Sequence, residues 1–175
     1  MKFSEVFSDV LGPSSEAVPF ADPTWIGVAF ARDAYDNTRF PEWFFQCVMN
    51  QFAISREVDL LVAGDCFVQL GLEEVFQVPF QWESYQAFMM EPEHYSIEYR
   101  VVSSNRTCGW LSDGDITIFG GEEQRMTLLI ERIGGIDKVL DSMRAEFFLG
   151  EKEKYSELDH FLQSLLRPAL RPCRN

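Results

Sequence analysis

The chain has 175 residues, of which 46% are hydrophobic and 14% aromatic, and it carries a formal net charge of −13. This length and apolar content fit one globular domain over residues 1–175 with a well-filled core, and they exclude a disordered or fibrous chain. The charge is lopsided: residues 1–99 hold 16 acids and 4 bases, residues 100–175 hold 12 acids and 11 bases, which disfavours nucleic acid and anionic membrane as partners and favours a basic protein.

In chain order, Phe3, Val6, Phe7, Val10 and Leu11 form one stripe of a short helix that Gly12-Pro13 stops. Prolines 13, 19 and 23 mark an ordered loop, and Trp25 to Ala31 reads as a strand. Pro41 suits a first helical turn and Glu42 the positive end of the dipole, predicting an aromatic core helix over about 41–54. Val58–Ala63 and Cys66–Leu70 flank Gly64-Asp65, the pattern of a hairpin, with one continuous helix as the alternative.

Trp82, Tyr85, Phe88 and Met89 have helical spacing that Pro92 ends. Ile97, Tyr99 and Val101 alternate with more polar neighbours, which predicts a strand with one buried face. Cys108–Leu111 and Ile116–Phe119 flank Asp113-Gly114, a hairpin signal because such a turn needs positive φ. Three helices follow: one carrying Met126, Leu129, Ile130 and Ile133 and capped by Gly134, a second from Ile136, and a last from about Glu153 to Pro168. The expected architecture is α+β: a central, mostly antiparallel sheet, helices packed around it, a C-terminal helix, and a basic tail over 167–175.

Chemical motifs are few. No basic apolar leader and no membrane-length apolar run occurs, so the expected location is cytoplasmic. Cys47, Cys66, Cys108 and Cys173 are widely spaced, which suits reduced thiols. His94 and His160 are the only histidines, too few for a usual zinc centre, so neither metal nor cofactor is expected. Asn105-Arg106-Thr107 matches a glycosylation acceptor that an unexported chain would never use. Gly120-Gly121 before a helix has the look of a phosphate turn, but Glu122 and Glu123 would repel the phosphate. Asp113 and Asp115 are ordinary hairpin-tip chemistry.

With no catalytic residue identified, the leading expectation is a protein-binding domain, in its most concrete form an inhibitor or immunity protein that blocks a basic toxin or nuclease. Its contact surface is expected within residues 57–98, built from Glu57, Asp59, Asp65, Glu73, Glu74 and Glu83 with Trp82 and Tyr85 as exposed anchors. The competing readings are a general adaptor or assembly protein, an enzyme using Asp113, Asp115 and Glu98 in a cleft lined by Trp110 and Tyr99, and a small-molecule sensor with the aromatic segment 76–99 as its pocket wall. A homodimer through an aromatic face is a further option.

Overall fold

A computed structural model describes residues 6–12, 19–31, 35–53, 58–67, 69–148 and 156–170. The architecture is α+β, built on one antiparallel sheet of six strands: β1 (Ile26–Ala31), β2 (Asp59–Gly64), β3 (Phe76–Pro79), β4 (Tyr99–Ser103), β5 (Cys108–Ser112) and β6 (Ile116–Gly121). Among the described residues the α-helices with defined bounds are α1 (Glu42–Phe52), α2 (Trp82–Met90), α3 (Glu123–Arg132), α4 (Ile136–Phe148) and α5 (Ser156–Leu166). The spatial order β1-β6-β5-β4-β2-β3 places the two earliest-separated strands, β1 and β3, at the edges.

Register explains why the interior is so aromatic. Val28, Phe119, Trp110, Val101, Val62 and Phe76 lie in one row across all six strands, so they share a face. That face meets the helices. Phe44 of α1 sits 5.3 Å from the Phe119 ring, and Tyr85 of α2 sits 5.7 Å from Trp110. Both of these pairs meet edge to face, while Tyr85 stacks on Phe40 and Phe45, and both arrangements are ones the ring quadrupoles favour when the rings are offset.

The next row, offset by one residue, is Gly27, Gly120, Gly109, Val102, Leu61 and Gln77, and it lies on the opposite face. Three adjacent glycines leave a flat track, and the N-terminal segment uses it. Leu11 and Phe20 form an isolated bridge that folds this segment back on itself. The Phe20 ring then lies on Gly27 and Gly120, and Val10 lies beside Gly109. Arg100 and Arg106 donate to the Gly12 and Val6 carbonyls and hold the strap down. Packing a ring over strand glycines restores apolar contact that the missing side chains would otherwise forfeit.

Both sheet edges are closed to further pairing among the described residues. The outward Ala29 N–H of β1 donates to Met143 Sδ of α4 at 3.1 Å, and the Ala31 N–H donates to the Glu146 carboxylate one turn further along α4. At the other edge, β3 has only four residues and ends in Pro79. A helical cover and a short proline-ended strand are two ordinary ways of blunting an edge.

Several expectations are corrected. Residues 66–67 and 69–70 are turn and not the second strand of a hairpin, because the Asp65 carboxylate accepts the backbone N–H groups of Ile97 and Glu98 and binds this turn to a distant segment. The true partners of β2 are β3 and β4. For the same reason Ile97 is 55% exposed and the strand begins only at Tyr99. Val102 is as buried as Val101, since the strap covers the second face of the sheet. At the N-terminus the helix described covers only Val6 and Phe7, although Val6, Phe7, Val10 and Leu11 are all buried as the stripe implied. The early loop residues 13–18, the onset of the last helix and the tail from 171 onward lie outside the described residues.

Candidate functional site

Of the residues expected to form a contact surface, Glu57 lies outside the described residues, while Asp65, Glu73, Glu74 and Glu83 are exposed and Asp59 is half-buried. Two of the carboxylates have structural duties. Asp59 accepts from Gln77 Nε2 at 2.6 Å across the β2–β3 pair, and Asp65 caps the 97–98 backbone. Trp82 and Tyr85 are not anchors: they are 6% and 0% exposed. Their i, i+3 spacing is the core stripe of α2, and the Tyr85 hydroxyl donates to the Thr38 carbonyl at 2.9 Å inside the interior. Burial raises that hydroxyl well above the ordinary tyrosine range.

Other apolar side chains take their place at the surface. Leu70, Met90, Tyr95 and Ile97 are each at least half exposed. Three of them are drawn together by the turn: Cys66 Sγ donates to the Tyr95 carbonyl, Leu70 N–H to the Cys66 carbonyl, and Ile97 N–H to Asp65. Between residues 58 and 99 the sequence holds eight Asp and Glu and no Lys or Arg. Glu98 forms an ion pair with Arg100 at 3.2 Å. Asp65, Glu73, Glu74 and Glu98 lie at the Gly64 end of β2, where Leu70, Tyr95 and Ile97 are exposed, whereas Asp59, opposite Pro79, and Glu83, just beyond it in the chain, lie at the other end. Sequence reasoning placed Ile97 on a buried strand face and so passed over it; the signal available was its position beside Glu98, Glu93 and Glu91.

The loop that follows β1 crosses the Gly64 end of the sheet. Arg39, at φ 73° and 2% exposure, donates from Nη2 to the Ser96 carbonyl at 2.8 Å, and its guanidinium stands 5.1 Å above the Tyr99 ring. This fixes Tyr35 at the junction of two hollows. The smaller, of about 270 Å³, has Asp36, Glu42 and Met90 in its wall. The larger, of about 530 Å³, lies beside the covered edge of β1 and is lined by Phe30, Trp43, Phe44, Val139, Met143 and Glu146 among others. Burial, with the Glu146 charge beside it, pushes the Tyr35 hydroxyl up to about 12. Burial also lifts the Glu146 carboxyl above the usual carboxylate range, against the opposing hydrogen bonds from Tyr35 and the Ala31 N–H.

No family model, curated protein or solved structure matches this chain.

The competing chemical centres resolve one by one. Trp110 and Tyr99 are fully buried under the helices, so they line no cleft beside Asp113 and Asp115. Those two aspartates close the β5–β6 turn, the Asp115 N–H donating to Asp113 Oδ1 at 3.3 Å. Phe80 and Tyr85 fill the core, as the Phe80 and Tyr85 rings on Phe45 show, while Trp82, also packed on Phe45, turns an edge to the smaller hollow together with Gln86 and Met90. Gly120 and Gly121 belong to β6 and are covered by Phe20 and Phe52, which leaves no room for a phosphate.

His94 stacks on Phe88 at 3.9 Å with Nδ1 on the Phe88 carbonyl, and His160 is exposed on α5. Burial pushes the Cys108 thiol up to about 12, where it is no nucleophile at neutral pH. Asn105 uses its side chain locally, accepting from Thr107 and donating to the Phe52 carbonyl. Among the described residues no group of three or more His, Cys, Asp or Glu converges as a metal site. No described helix is long and apolar enough to cross a membrane.

Proposed function

We propose that this chain is a binding protein whose acidic end, around Asp65, Glu73 and Glu74, docks on a basic protein partner. The observation that carries the reading is the stretch 58–99, with eight carboxylates, no Lys or Arg, and Leu70, Tyr95 and Ile97 exposed among them. Carboxylates steer a cationic partner and set its orientation, while desolvated aromatic and aliphatic anchors supply most of the retained energy. An inhibitor or immunity protein that covers a basic toxin or nuclease site is the most specific form of this proposal. The rigid connection of Asp65 to the 97–98 backbone supports it, because a preorganised surface loses little entropy on docking.

The test is a capture of partners at low and moderate salt by the natural chain, by Glu73→Lys/Glu74→Lys, and by Tyr95→Ala/Ile97→Ala, with the retained proteins identified by mass. The expected result is one stoichiometric basic protein that is lost as salt rises. The charge-reversed variant should associate more slowly and show a weaker salt dependence. Truncating Tyr95 and Ile97 should accelerate dissociation. Retention of the same proteins by all three chains refutes this face as the docking face.

A further inference from the structure

The hollow beside β1 lies apart from the acidic end and poses a separate chemical question, since its wall combines four aromatic rings with one half-buried carboxylate. Phe30 is the hub: its ring is 4.8 Å from Phe44 and 5.8 Å from Tyr35, and Trp43 meets Phe44 at 5.8 Å. Trp43 is 55% exposed and stands in the wall of a hollow otherwise floored by Val28, Val139 and Met143. At about 530 Å³ the space matches the range of small-molecule sites, roughly 300–1,000 Å³.

The polar groups decide what fits. Glu146 accepts from the Tyr35 hydroxyl and from the Ala31 N–H. An ionised carboxylate offers about four lone-pair positions, so two remain for a ligand. Among the described residues, Tyr35, Lys138 and Glu146 are the titratable groups lining the hollow. Lys138 precedes Glu146 by two turns of α4, about 12 Å at roughly 1.5 Å per residue. Its stem also folds over Gly134, where an added Cβ would meet Cδ and lie 3.2 Å from Nζ.

We propose that this hollow binds an organic ammonium ion with an apolar body, the ammonium against Glu146 and the faces of Tyr35 and Trp43, the body against Phe30, Val139 and Met143. An anion would be repelled by Glu146. A neutral donor would fill one lone pair but leave the desolvated charge uncompensated, whereas an ammonium supplies both the hydrogen bonds and the countercharge. Aromatic faces add cation–π attraction that grows as water is excluded. Binding requires ionised Glu146 and a protonated amine, so affinity rises with pH through the Glu146 titration and falls as the amine loses its proton.

The test uses 2-phenylethylamine as probe, with 2-phenylethanol as its neutral counterpart and 3-phenylpropanoate as the anion, followed by Trp43 fluorescence and the Met143 methyl resonance. The natural chain is expected to bind the amine about tenfold or more tightly than the alcohol, the scale of a desolvated cation–π and ion-pair contact, and the anion least. Glu146→Gln keeps a carbonyl to accept the Ala31 N–H; it should lower amine affinity about tenfold or more, while the Met143 methyl resonance of the unliganded variant stays in place and shows that the hollow is intact. Val139→Trp fills the space and should abolish both. The proposal is overturned by equal binding of amine and alcohol, by preference for the anion, by amine affinity that survives Glu146→Gln, by binding that survives Val139→Trp, or by no binding of the amine at millimolar concentration to the folded chain.

Discussion

The Phe20 ring and the glycine track beneath it make a quantitative prediction. A Cβ added at Gly120 would lie 2.7 Å from Phe20 Cε2 and closer still to Cζ and Cε1. The ring cannot swing aside cheaply, because Phe20 is fully buried and a second strand glycine, Gly27, holds its other side, with an added Cβ there only 2.8 Å from Cζ. Gly120→Ala is therefore an overpacking substitution costing about 2–3 kcal/mol. Phe20→Ala removes the ring and leaves a cavity over the track, costing about 3–5 kcal/mol.

In the double variant the new methyl group enters the space the ring has vacated. The two costs should therefore fall short of additivity by at least about 1 kcal/mol, the coupling expected of residues in direct contact. Urea unfolding of the natural chain, both single variants and the double variant gives the four free energies. At this chain length each kcal/mol also moves the melting temperature by about 2–4 °C. Additivity within about 0.5 kcal/mol would refute the contact between ring and track, whatever the size of the single effects.

Three further outcomes follow from the geometry. Arg144 reaches Asp159 with Nε at 2.5 Å and Nη2 at 3.3 Å and holds that carboxyl below its ordinary range; such a depressed group contributes stability above its unfolded pKa and loses it as pH falls through the folded one. Asp159→Asn should thus cost about 1 kcal/mol or less at neutral pH, given solvent screening, and flatten the stability profile below the usual carboxylate pKa, as read by unfolding across pH 2–6. Cys108, buried with its thiol near pKa 12, should escape alkylation at pH 8 in the folded chain and react only on unfolding, a difference visible by peptide mass. Met143→Leu keeps the volume but leaves the Ala29 N–H without its sulfur acceptor, so that amide should exchange faster while global stability falls by less than about 1.5 kcal/mol.

What the sequence disclosed and what it concealed divide by range. Local signals placed the helices well: Pro41 sits one position before α1, Gly134 at φ 119° follows α3, and Asp113-Gly114 turns β5 into β6. The partners of β2 were concealed because Gly64-Asp65 carries the chemistry of a tight hairpin, yet the Asp65 carboxylate spends itself on the backbone of Ile97 and Glu98. The acidity of the 58–99 stretch was visible, but spacing alone does not tell a core stripe from an exposed one, so Trp82 and Tyr85 were expected at the surface while Tyr95 and Ile97 are the exposed side chains. The Tyr35–Glu146 pair had no sequence signal, since its members come from opposite ends of the chain and meet through the pairing of β1 with β6 and the laying of α4 along its edge.

That pairing has a consequence for how the protein is made. Ala31 finds its strand partner at Ile116, and Phe20 finds its seat only when Gly120 has joined Gly27. On the ribosome, β2, β3 and β4 can assemble while β1 and its preceding strap wait unpaired, an apolar stretch exposed until residues 116–121 emerge. β1 is made before β2, β3 and β4 yet is placed after them, and a chain interrupted before Ile116 has nowhere to put it.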